Sequence, residues 1–412
     1  MLILGEKMRY LWWVLVLTAL MAPLSGQAQV RVVKTMNEVS LLDMALFKSQ
    51  SGGAPELFRR TLEADLTRSE YFKIAAGDRA EYALVGSVVL KASGLVVRCE
   101  AYNVISKKRH LIKTFKASAN EARQLAHQVA DAIIMALTGR PGMASSRIAL
   151  VGNRTGNKEL YLCDADGRNL QQLTHDKTLS LAPKWGPDGR RLIYTSYRSR
   201  FPDVYLITLS GNSWKGKCVA SFPGLNTCAA ISPDGREMAL TLSKDGNPDL
   251  FIMKLANGRL TRLTASRHAG EASPAWSPDG RKIVFVSDRA GSPQLYIVDR
   301  NGSDPKRITS SGSQNVDPDW GDNGFITYSS LIGNLFQIFV LNPATLETQQ
   351  ITPEDASYED PSWSPDGRHI TCTRTQDYHS RIFIIDMISR SCISLFSDSV
   401  TGDWSAPDWS PK

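Results

Sequence analysis

Four aspartates recur in one setting along this 412-residue chain: Asp188, Asp234, Asp279 and Asp366 each stand between a proline and a glycine. Carboxylates in such number could serve acid–base chemistry or hold a cation. Their repetition argues against both, because a fold needs a turn in every unit whereas a site needs its acid once. Proline presets φ at the second turn position, Asp suits the third, and Gly ends the turn without steric cost. These four are therefore read as turn formers. A second acidic set, Asp317, Asp319, Glu359, Asp360 and Asp403, falls in segments that differ from copy to copy, while a basic set, His175, Lys177, Arg267 and His268, falls in other copies. A cation could be held on the acidic side, although solvated loop carboxylates are the plainer reading. His110, His127, His175, His268, His369 and His379 show no metal-ligand spacing, and packing or solvated surface is expected for each.

Other chemistry is equally sparse. The six cysteines, Cys99, Cys163, Cys218, Cys228, Cys372 and Cys392, form no CxxC pair. Cys372 and Cys392 fall on strands with another strand between them, about 9–10 Å apart, beyond the reach of a disulfide. Cys228 lies in a variable loop. No GxSxG elbow, HExxH or P-loop is present. No catalytic residue, metal or cofactor is expected.

The element that positions these residues is a repeat. Its Trp positions are Trp185, Trp276, Trp320, Trp363 and Trp409, with Ile231 in the second copy, and the gaps run from 43 to 46 residues. That is the period of a four-stranded propeller blade. A Trp strand, a tight turn and a second strand such as Ile283–Val286 are followed by a third, as in Leu295-Tyr296-Ile297, and a short polar fourth. Short runs rich in β-branched and aromatic residues are the strand signature. The copy at Trp320 keeps only Asn323-Gly324 of the turn. Residues 147–174 hold later strands without a Trp strand, and Trp409 begins a unit without the rest. Joining the two closes a six-bladed β-propeller over residues 147–412. The loops leading into the Trp strands vary, and variable loops on a fixed scaffold are where recognition sits.

Before the ring, Lys7 and Arg9 precede an apolar stretch and a small-residue site at Gly26-Gln27-Ala28, the layout of a signal peptide over residues 1–28. The stretch is shorter than the roughly 20 residues that span a bilayer. Met8 is an alternative start, and the absence of Cys near the cleavage site speaks against a lipid anchor. An exported mature chain without a membrane span is expected. Residues 29–140 read as a small α/β domain, with an amphipathic helix over Ala54–Thr67. Strands are expected over Tyr82–Leu90, Leu95–Val104 and Leu111–Phe115. A capping box at Ser118–Glu121 opens a helix to Leu137, ended by Gly139 and Pro141. A short linker, residues 141–146, follows. The balance of 48 Lys plus Arg against 41 Asp plus Glu is mild. It contains no basic stripe with interleaved aromatics, so a nucleic-acid partner is not expected.

This order of parts resembles the TolB family of the Tol–Pal cell-envelope system. The resemblance rests on the signal peptide, the α/β domain, the Trp-Ser-Pro-Asp-Gly repeats at Trp276 and Trp363, and the final Trp409-Ser410-Pro411. It implies a monomeric periplasmic adaptor rather than an enzyme, supporting outer-membrane integrity and cell division. It also implies that the propeller binds a Pal-like peptidoglycan-associated lipoprotein through the loops entering the inner strands. Carried onto this chain, the contacts are Leu225, Asn226, Thr227 and Cys228, with Arg267, His268, Glu271 and Ala272. The acidic Asp317, Glu359 and Asp360 are added from the charge of the same rim. A TolA-like inner-membrane protein would engage Gln29, Val30, Arg31, Val32 and Val33. The family often has His where Leu225 stands and Thr where Ala272 stands, which suggests a diverged partner. The alternative is an exported enzyme on the same repeat, a peptidase gate or a polysaccharide lyase. The first needs a hydrolase domain for which the chain leaves no room, and the second needs convergent His and acidic residues.

Overall fold

The computed structural model describes residues 39–412 apart from Ala76, Asp78, Gly211 and Asn212. The expected signal peptide and the Gln29–Val33 segment lie outside the described residues.

The α/β portion contains β1 (Ser40–Asp43), β2 (Phe47–Ser49), α1 (Gly53–Arg68), β3 (Phe72–Ile74), β4 (Tyr82–Lys91), β5 (Gly94–Asn103), β6 (Arg109–Ala117) and α2 (Ala122–Thr138). The sheet order is β3-β1-β4-β5-β6, with β2 also pairing β4. Phe58, Leu62 and Leu66 of α1 share a core with Leu125, Val129 and Ile133 of α2 and with Leu84, Val88 and Val97 of the sheet. Leu57 packs only at its margin. Ser118 and Glu121 form the capping box over one 3₁₀ turn, with the Ser118 N–H donating to Glu121 Oε2 at 3.0 Å. Gly139 ends α2 at φ 73°, and its N–H returns to the Met135 carbonyl. The left-handed conformation there is why glycine is needed. Strands β1, β2 and β3 have three or four residues each and pair in parallel. They are too short to show periodicity.

Residues 141–146 are fixed in place rather than slack. Asp131 accepts from the N–H of Ala144 at 2.9 Å and of Ser145 at 3.1 Å, and pairs with Lys412 at 3.1 Å. Gly142 runs so close to Asp131 that a Cβ there would collide with it.

Six four-stranded sheets follow. Their inner strands are Ser180–Trp185, Asn226–Ile231, Glu271–Trp276, Asn315–Trp320, Ser357–Trp363 and Trp404–Trp409, in blades one to six. Blade six takes its inner strand from Trp404–Trp409 and the other three from Arg147–Gly152, Glu159–Asp164 and Gln171–Gln172. The register sets Trp404 opposite Gly152 and Trp409 opposite Ile148. Trp404 is fully buried, edge-on to Tyr161 at 5.0 Å between ring centroids. The sheet-to-sheet layers hold the apolar residues, as in Ile252, Trp276, Phe285 and Tyr296 between blades two and three. The turn aspartates behave as the repeat implies. Asp188, Asp234, Asp279 and Asp366 each accept the N–H two residues on, from Arg190, Arg236, Arg281 and Arg368.

Antiparallel alternation puts the loops leading into the inner strands on one face and the Pro-Asp-Gly turns on the other. The α/β portion docks on the second face. Arg123 of α2 pairs with Asp164 and Asp166 of blade six, and Glu70 accepts from Ser389 and Ser391 of blade five. Among the described residues, nothing of the α/β portion is seen on the loop face.

Candidate functional site

Every inner strand carries the same irregularity near its middle, where the pairing register shifts. Ala182, Cys228, Ser273, Asp317, Asp360 and Ala406 there have φ between 47° and 53°. Left-handed non-glycine residues are unfavourable and persist only when the surroundings enforce them. Six repeats of one bulge mark an architectural device, since a bulge re-aims a side chain. All six residues line a central channel of about 110 Å³.

Two residues further on, Lys184, Ala230, Ala275, Asp319, Ser362 and Asp408 form a second ring. Here some side chains hook the next blade. Asp408 accepts the Trp185 N–H at 2.6 Å, Asp319 that of Trp363 at 2.8 Å, and Ser362 that of Trp409 at 3.1 Å. In the first ring Asp360 accepts from the Ala406 N–H at 3.2 Å and from Thr373 Oγ1 at 3.0 Å. Blades two and three carry alanine in the second ring, so the channel has a polar, hooked half and a plain half.

The polar half is acidic. Lys184 pairs with Asp408 at 2.8 Å. Burial opposes charge on that amine, yet Asp408 and then Asp319 hold its pKa above the usual lysine range. Burial, followed by the charges of Asp360 and Glu359, pushes the Asp317 carboxyl up to about 7. Glu359 is raised by burial and by Asp360. A carboxyl raised on folding contributes its stability below its unfolded value and loses it as pH rises through the folded one. Asp317→Asn is therefore expected to stabilise the fold at pH 8 and to change little at pH 4. Urea unfolding at the two pH values measures this, and equal effects at both would remove the strain assigned to Asp317.

The structure separates the expected contact residues into two kinds. Leu225 is 39% exposed at the rim, and Arg267 and His268 are exposed beside the neighbouring inner strand. Cys228, Asp317 and Asp360 face the channel, with Glu359 half-buried beside Asp360 and Ala272 half-buried on the inner strand of blade three. Thr227 bonds Thr195 of blade one at 3.1 Å. Asn226 and Glu271 differ, being fully or almost fully buried. Asn226 clasps its own loop, accepting from the Phe222 N–H and donating to the Phe222 carbonyl, both at 2.7 Å. Glu271 accepts from Thr264 Oγ1 and from Arg289. Both shape the loops and present no free polar group to a partner. Lys184 and Asp408 were not singled out by sequence. The signal available was their shared place, one residue before each Trp.

Among the described residues, one further group has metal-ligand proximity, His127 with Asp164 and Asp166. Arg123 sits within it, 3.2 Å from Asp164, 3.0 Å from Asp166 and 3.3 Å from His127 Nε2. His127 Nδ1 is already engaged by Asp65 at 2.6 Å. A guanidinium in that position does the work of a cation, so the group is an ion-pair joint. No described helix is long and apolar enough to cross a membrane.

The family model described as "TolB beta propeller domain" matches residues 134–412. A "Tol-Pal system protein TolB" of Desulfosudis oleivorans is 33% identical over 187 residues, 45% of this chain and 42% of that protein. Its counterpart in Anaeromyxobacter dehalogenans strain 2CP-1 is 35% identical over 186 residues, again 42% of that protein. The matched stretch thus spans less than half the length of these curated relatives. The crystal structure of TolB from Acinetobacter baumannii is similar at a TM-score of 0.78 and 27% identity, covering 91% of this chain and 97% of that one.

Proposed function

Because the chain belongs to the family of the TolB β-propeller domain, we propose that it is a periplasmic, non-enzymatic adaptor of the Tol–Pal system. In this reading the loop face binds a Pal-like lipoprotein, and the segment Gln29–Val33 engages a TolA-like inner-membrane protein. The observation that carries the reading is the extent of the likeness to the Acinetobacter baumannii TolB structure, which takes in 91% of this chain, and so both the α/β portion and the ring, and 97% of that one. The placement of the α/β portion adds support, since it docks on the opposite side. Leu225, Arg267 and His268 would touch the partner directly. Thr227, Cys228, Ala272, Asp317, Glu359 and Asp360 would shape the channel mouth and its charge, and Asn226 and Glu271 would hold the loops in position.

The test is binding of the full chain to a soluble Pal-type domain. Leu225→Asp and Arg267→Glu are expected to weaken it at least tenfold each, about 1.4 kcal/mol, with thermal unfolding unchanged. No measurable binding by the parent protein, or equal binding by both variants, would count against the assignment. Charge reversal is better made at Glu359 than at Asp360, whose carboxylate also hooks blade six.

A further inference from the structure

The turn after the inner strand of blade five differs from its counterparts. Asp188, Asp234 and Asp279 are exposed, whereas Asp366 is buried together with Arg368 and His369. What covers it is the α/β portion. The His369 imidazole, 2% exposed, lies between two carboxylates. Its Nδ1 is 2.7 Å from Asp366 Oδ2 and its Nε2 is 3.3 Å from Asp386 Oδ2. Arg368 donates to the same Asp386 oxygen, and its guanidinium lies over the Tyr71 ring at 4.6 Å. Asp386 also accepts the N–H groups of Ile388 at 2.7 Å and Ser389 at 2.8 Å. It thereby shapes the turn whose Ser389 and Ser391 donate to Glu70. Arg140 also faces Tyr71, and Arg390 faces Asp386. Among the described residues, the Tyr71 hydroxyl, Arg390 Nη1 and His369 Nε2 are buried at this contact without a hydrogen-bond partner. Each would gain water if the contact opened, so the closed state is not held at any cost.

We propose that this cluster is a protonation-controlled latch, which holds the α/β portion on blade five while His369 carries a proton and loosens when the proton leaves. With the proton, Asp366, Asp386, Arg368 and His369 sum to zero charge. Without it, Asp366 and Asp386 lose the cation that lies between them, and Arg368, with Arg390 facing Asp386, is left to offset the two buried carboxylates, a less favourable arrangement. Opening the contact would hydrate those carboxylates and satisfy the Tyr71 and Arg390 donors. The other contact, at Arg123, also holds a buried histidine, but His127 is bonded to Asp65 within the α/β portion and meets a guanidinium rather than a second carboxylate on its other nitrogen. Burial by itself would strip the His369 proton, but Asp366 and then Asp386 outweigh it and raise its pKa above 6.5. The latch is thus fully closed below that value and loosens as pH rises through the raised one.

Amide hydrogen exchange of the full chain, labelled from pH 5 to 9 and corrected for intrinsic rates, tests this. Protection of Ser69–Phe72 and Asp386–Ser391 is expected to fall roughly tenfold for each unit by which the pKa is raised. Ile283–Val286 in blade three should stay protected. The midpoint should coincide with the His369 titration followed by imidazole NMR. His369→Gln should flatten the profile. A flat profile in the parent protein, a midpoint away from that titration, or an unchanged slope in the variant overturns the latch. Should the variant fail to fold, the comparison of the two midpoints decides alone.

Discussion

Alanine in place of Trp404 is expected to destabilise the fold by about 3–5 kcal/mol, the range for a large buried aromatic. Trp404 is wholly buried, with Tyr161 at 5.0 Å and Phe396 at 5.2 Å between ring centroids. Across the seam it lies on Gly152, where any Cβ would run into the indole. The two elements are therefore shaped for each other, and Gly152→Val should disturb the same contact from the other side. Because both changes damage one contact, the double variant should lose less than the sum of the singles. Urea unfolding of the three proteins measures this. Full additivity would mean that the two sites are not a single contact.

A second large effect is expected at Asp408. Its carboxylate accepts from Lys184 at 2.8 Å and from the Trp185 N–H at 2.6 Å, and its backbone carbonyl takes the Trp185 indole N–H at 3.1 Å. Asp408→Ala removes the first two bonds, and a third from Ser362 Oγ, and leaves Lys184 without its ion-pair partner, with Asp319 and Asp360 as the remaining acids near it. Losing one partner of a buried ion pair costs about 3–5 kcal/mol, and the lower end applies because the Lys184 side chain remains 34% exposed. Lys184→Met in the same background should recover part of the loss, by removing the stranded charge. If it recovers none, the cost resides in the backbone hook and not in the ion pair.

The ring was legible in the sequence because it is written six times. Copies of one turn could be compared with one another, which separated Asp188 and its equivalents from site candidates without any structure. The α/β portion, present once, yielded its long elements through periodicity and the Ser118–Glu121 box. It hid β1, β2 and β3, whose three or four residues pair in parallel with partners far along the chain. The site was legible only by position. Asn226 and Glu271 are polar residues in the right loops, and whether such a side chain points outward or clasps its own backbone is settled by tertiary contacts. The same holds for His369. In the sequence it follows an ordinary Pro-Asp-Gly-Arg turn, and only the α/β portion resting on blade five makes it a buried group between two acids.

The joint at Asp131 has a mechanical consequence. One carboxylate on α2 holds both the strand-leading segment at Ala144 and Ser145 and, through Lys412, the far side of the seam. Ser146 adds a second tie, accepting the Trp409 indole N–H at 2.6 Å. A load applied to the α/β portion therefore reaches both lips of the seam together. Strands pulled in step resist as a set of bonds in parallel, whereas a load on one lip alone would break them one at a time. The ring is fastened where it would otherwise peel.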